Sequence, residues 1–213
     1  MFFEFKYPKK KKGMNYLMKK SMLGLLIVVI LLGVVTPTFA YNYWANKAKL
    51  TGGIKGETYY ISSDYFDGRY YGGFIRNAVS QWNSKVNATA SDSTDVAFTQ
   101  STSRTGTTVD FFIGNYGSTG WNGVADFFKN GEGQINQDGY GPTRNYDWSN
   151  LYLNDSYLND DSSTDITATA KHEFGHALGL AHSGTKDAIM YKDRTRNTYD
   201  VMYDDVTGVR KLY

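Results

Sequence analysis

His172-Glu173-Phe174-Gly175-His176-Ala177-Leu178-Gly179-Leu180-Ala181-His182 is the stretch on which the reading of this chain turns. The chain has three histidines, and all of them fall inside it. Residues four apart share a face of an α-helix, so His172 and His176 can present two imidazoles to one metal ion. Glu173 stands about a quarter-turn further round, within reach of a water on that ion without being a ligand itself. Gly179 readily takes the left-handed conformation that closes a helix. The chain can then turn and supply His182 as a third ligand from outside the helix. Three protein ligands leave one open position, the arrangement of a catalytic rather than a structural zinc site.

The helix that carries the pair is predicted over 163–178, opened by a capping-box pair, Ser162 and Asp165. Upstream, apolar residues at Phe74, Ile75, Ala78, Val79, Trp82 and Val86 are spaced by three and four. That spacing predicts an amphipathic helix over 70–86. Runs of aromatic and β-branched residues predict strands at 56–63, 95–100, 107–113, 124–128 and 151–153. Residues 114–123 read as a glycine-rich turn and 130–149 as a long polar surface loop. A last helix is predicted over 199–212, with Asp204 and Asp205 early in it and Arg210 and Lys211 in its final turn, where they suit the helix dipole. No internal repeat or linker divides the chain.

A length of 213 residues, 41% of them hydrophobic, is enough for one domain with a real core. The net charge of +2 hides a segregation, because seven lysines and a single acid lie in residues 1–40. The remainder is acidic, and no basic patch survives to suggest nucleic acid. There is no cysteine, so any metal must sit on His, Asp or Glu. The lysine-rich start is followed by an apolar run from Met22 to Val35 and then by Thr38-Phe39-Ala40. This reads as a signal peptide over 1–40, with Met14 as an alternative start, cleaved to leave a mature domain over 41–213. The run is shorter than the roughly 20 residues that span a bilayer comfortably. A secreted protein is therefore expected, crossing the membrane only during export; an uncleaved anchor is the alternative.

The segment HEFGHALGLAHS, residues 172–183, resembles the signature of the metzincin clan and, within it, of the matrixins, the family of the matrix metalloproteases. Ala188-Ile189-Met190-Tyr191 resembles the clan's Met-turn, which implies that Met190 packs as a soft apolar floor beneath the ligands. Less specifically, residues 204–213 resemble the last matrixin helix. Gly123-Val124-Ala125-Asp126-Phe127-Phe128 looks like the edge strand that binds substrate. The resemblance implies a zincin-like α+β fold: a twisted, mostly parallel five-stranded sheet with an active-site helix and a C-terminal helix. It also implies a zinc endopeptidase, expected as a monomer, acting on protein or peptide substrates. One zinc would be held by His172, His176 and His182, with Glu173 as general base and Val124, Ala125 and Asp126 along the substrate.

The departures from the family carry expectations too. With no further histidine, the structural zinc usual in matrixins is not expected, and with no cysteine neither is their cysteine-based latency. Calcium, common in the family, has candidate ligands in Asp138, Asp155, Asp160 and Asp161, though a solvated acidic loop reads better. Ala168 lies one turn before His172, at a position that in matrixins helps set the depth of the pocket for the residue after the scissile bond. A small side chain there implies a deep pocket and a preference for large apolar residues, with Lys192, Arg194 and Arg196 solvated at its rim. Two other functions fit less well. A binding module without catalysis has no need of Glu173, and a zinc hydrolase of non-protein amides fits the resemblance less.

Overall fold

The computed structural model describes residues 40–88, 95–136 and 141–213. The expected export segment before Ala40, and Asp138, lie outside the described residues. Among those described, no helix is long and apolar enough to cross a membrane.

The main sheet has six strands rather than five. They are β2 (Lys55–Ile61), β3 (Ala97–Ser101), β4 (Val109–Gly114), β5 (Gly123–Lys129), β6 (Gly133–Gln134) and β7 (Trp148–Asn154). Their spatial order is β3-β2-β4-β7-β5-β6. The first four of that order run parallel, whereas β5 is antiparallel to β7, and β6 to β5. The sixth strand escaped the sequence reading because it is two exposed residues with no apolar alternation. It is placed instead by contacts from the loop after it. Ile135 N–H donates to the Phe127 carbonyl at 2.8 Å, and Phe127 N–H donates to Asn136 Oδ1 at 2.7 Å.

Strand β7 is longer than the predicted 151–153 because its polar residues are structural. Ser149 and Asn150 are buried beside Leu151 and Leu153. Asn154 bonds the turn above the sheet through Tyr116 N–H at 3.0 Å and the Gly117 carbonyl at 3.0 Å. A second sheet pairs β1 (Asn42–Tyr43) with β8 (Leu180–Ala181), drawing the N-terminal segment against the chain just before His182.

Helix α1 (Tyr71–Ala88) buries Ile75, Ala78, Val79, Trp82 and Val86, the stripe that its spacing predicts. A short helix α2 (Asp155–Leu158), unforeseen in the sequence, is capped by the Asn154 side chain. Helix α3 (Ser163–Ala177) opens on Ser162, whose hydroxyl oxygen accepts from Asp165 N–H at 3.1 Å. Trp82 Nε1 donates to the Lys171 carbonyl at 2.9 Å, so α1 and α3 are joined by a buried polar bond as well as by apolar contact. Gly179 has φ +94°, where an L side chain is strained, and its N–H donates to the His176 carbonyl at 2.9 Å. The last helix, α4 (Tyr203–Leu212), starts four residues later than predicted. The Asp205 carboxylate reaches back to Met202 N–H at 2.8 Å and fixes the start there.

Candidate metal centre and active-site cleft

Helix α3 delivers His172 and His176 side by side, and the turn at Gly179 returns His182 to them. The ring centroids are 4.6, 4.9 and 5.2 Å apart, and one ligand nitrogen from each ring lies within 4.8 Å of the others. Among the described residues this is the one group of three or more such side chains placed to share an ion. His172 Nδ1 lies 2.8 Å from the Ile189 carbonyl and His176 Nδ1 lies 2.8 Å from the Leu180 carbonyl. A carbonyl can only accept, so Nδ1 carries the proton and the Nε2 lone pair is left for a metal. Burial, with repulsion between neighbouring rings, holds both imidazoles well below their ordinary pKa, His176 at about 3. Neutral, oriented, convergent imidazoles are the donor set that zinc requires.

Met190 is buried beneath this group. A Cβ at Gly175 would lie 2.3 Å from Met190 Sδ and 2.9 Å from Trp82 Cζ2, so the missing side chain in the helix is the space the methionine occupies. The turn around Met190 is held by Asp205. Its carboxylate accepts from Ile189 N–H at 3.0 Å and Met190 N–H at 3.1 Å, besides capping α4. Burial pushes that carboxyl up to about 6, against the pull of the three N–H donors. The sequence reading noticed Asp205 only as an acid early in a helix. Its partners lie about one loop away and no local pattern points to them.

A cleft of about 660 Å³ opens over the histidines. Glu173 forms part of its wall, and burial pushes its carboxyl up to about 8, opposed by the field of Arg196. Its neighbour across the cleft is Gly123, where a Cβ would stand 2.7 Å from both Cγ and Oε1 of Glu173. A Gly123→Ala variant should therefore push Glu173 aside and lower kcat by about tenfold or more, since displacements near 1 Å are costly at a reacting centre. Its zinc content should not change, because Glu173 is not in the histidine cluster. Steady-state kinetics beside metal analysis tests this, and unchanged kcat would show that the carboxylate has room to move.

Of the other expected residues, Val124 and Ala125 line the cleft. Asp126 does not. Its carboxylate accepts instead from Asn136 Nδ2 at 3.2 Å. Ala168 is fully buried in the core, and Thr169 stands in the wall in its place. Thr169 lies four residues before Glu173, so it shares the face of that carboxylate rather than that of His172. Of the acids considered for calcium, Asp155 accepts from Tyr71 Oη at 2.7 Å and Asp161 pairs with Arg194 at 2.8 Å.

Two further residues of the site carry no local signal. Trp44 lies against the His176 ring, centroids 4.9 Å apart, and its Nε1 donates to the His176 carbonyl at 3.2 Å. Asn136 covers the edge of β5. Phe127 N–H takes its Oδ1, and its Nδ2 donates to the Ala125 carbonyl at 3.3 Å. Gly123 and Ala125 both line the cleft.

A helical histidine pair and a third histidine after a glycine turn form a group that could hold a metal ion, with a buried methionine packed against the same helix. The sequence profile of the family described as Matrixin matches residues 43–213. The chain belongs to the matrixins. It is 30% identical over 190 residues to Metalloendoproteinase 1-MMP of Arabidopsis thaliana, covering 83% of this chain and 47% of that protein. Neutrophil collagenase of Homo sapiens is 36% identical over 62 residues, 28% of this chain and 13% of that one. Matrilysin of Mus musculus is 38% identical over 64 residues, 28% of this chain and 24% of that one. The chain thus spans about half or less of the length of these relatives.

Proposed function

We propose that the protein is a secreted, monomeric zinc endopeptidase with one catalytic ion held by His172, His176 and His182 and Glu173 as general base. The observation that carries this reading is the convergence of the three imidazoles beside a buried carboxylate, within a cleft bordered by an open strand edge. Zinc bound there would acidify a water in its open position and polarise a carbonyl. Glu173 takes the proton released as the water attacks and hands it to the leaving amine. With zinc held by the three histidines, the Glu173 carboxyl would favour the ionised form that this role needs. An extended peptide adds to β5 at Gly123 and Ala125 by main-chain hydrogen bonds, on a platform that Asn136 closes at Phe127. Export is supported by the lysine-rich start and the apolar run, with Tyr41 as the mature N-terminus.

One preparation tests the whole reading. Protein recovered from the medium should begin at Tyr41 and contain about one zinc per chain, as expected of a three-ligand site. It should cleave a denatured protein substrate, lose that activity to a chelator and recover it with zinc. A metal-loaded chain that cleaves no peptide would overturn the reading.

A further inference from the structure

Arg196 does not sit at a solvated rim. It lines the cleft, and its Nε is buried with no hydrogen-bond partner. Lys192 and Arg194 line the same cleft in different surroundings. Arg194 is tied to Asp161 at 2.8 Å and to Asp165 at 3.4 Å, and Lys192 is exposed. Two acids bear on Arg196 electrostatically, Glu173 and Asp165, but neither forms an ion pair with it. Burial, and then repulsion from Arg194, hold the guanidinium below its ordinary range, and Asp165, Tyr199 and Glu173 offset this only in part. A buried polar group without a partner is costly, and the cost is relieved by whatever ligand supplies the missing acceptor.

The position of Arg196 in the cleft says which part of a substrate it meets. Its loop is tied through Arg194 to Asp161 and Asp165 at the start of α3, on the His172 side, whereas Trp44 lies against His176 toward the end of that helix. Glu173 serves the leaving amine, so the residue that owns that amine lies on the Arg196 side. We propose that Arg196 is a specificity-determining residue that selects an acidic side chain, Glu or Asp, immediately after the cleaved bond. A carboxylate matches a guanidinium with two parallel hydrogen bonds, which a large apolar side chain cannot offer. This deepens the endopeptidase reading and rests on it for the chemistry. It replaces the preference for large apolar residues that a small Ala168 implied, since Ala168 faces the core.

The test uses two peptides that differ only in Glu or Gln after the cleaved bond, presented to the full zinc-loaded chain. The ratio of kcat/KM, Glu over Gln, should be about tenfold or more, as for a charge-assisted bond gained in a dry site. It should fall to about one in Arg196→Met and be partly kept in Arg196→Lys. A ratio near one in the wild type, or one that Arg196→Met leaves unchanged, overturns the proposal. Equilibrium binding of the same peptides, followed by fluorescence anisotropy, separates this from failure of the enzymatic reading. If the chain cuts neither peptide yet binds the Glu form about tenfold more tightly through Arg196, the selectivity stands and the peptidase function falls. Equal binding of the two peptides overturns the selectivity.

Discussion

A Glu173→Gln variant should bind zinc and fold like the wild type, yet hydrolyse peptides at least about a hundredfold more slowly. The amide has nearly the shape of the carboxylate, so the packing against Gly123 survives. What is lost is the basic oxygen that accepts a proton. The histidines keep their carbonyl anchors at Ile189 and Leu180, neither of which involves residue 173. Metal analysis, circular dichroism and kcat on one peptide decide the matter. A variant that turns over at the wild-type rate would move the base elsewhere, and one that loses zinc would make Glu173 part of the metal site.

Asp205→Ala should produce the largest loss of stability, about 2–4 kcal/mol for the metal-free chain. The substitution leaves the buried N–H groups of Ile189 and Met190 without their acceptor, and removes the partly buried bond to Met202 N–H as well. Relief of the carboxylate's own burial, visible in its raised pKa, offsets part of that cost but not two buried, orphaned donors. Asp205→Asn should fall between, because it keeps an acceptor oxygen while turning an NH₂ toward an N–H. Urea unfolding gives the comparison, through the midpoint at constant slope. A loss below about 1 kcal/mol would mean that the Met-turn holds its shape without this anchor.

What the sequence disclosed and what it hid divide along range of interaction. The cap at Ser162, the imidazole pair, the turn at Gly179 and the stripe of α1 depend on residues within a few positions of each other, and each was legible. Trp44 meets His176 and Asn136 meets β5 only after the sheet has formed. The two-residue strands β1, β6 and β8 are likewise made by their partners. The misplacement of Ala168 has a different cause. A helical wheel gives the angle between side chains but not which way the helix is turned toward the sheet. One residue's rotation moved the wall from Ala168 to Thr169. Arg196 was read as solvated because arginines in polar loops generally are.

The Asn136 cap also bears on how molecules meet each other in solution. An open strand with unsatisfied N–H and C=O groups invites the same strand of another copy. With Phe127 and the Ala125 carbonyl already bonded to Asn136 and Ile135, only a short stretch of β5 stays open. That stretch is long enough for a peptide helped by side-chain contacts and too short to hold two sheets together edge to edge. By bonding part of this edge within the chain, Asn136 shortens the template that β5 offers to a second copy.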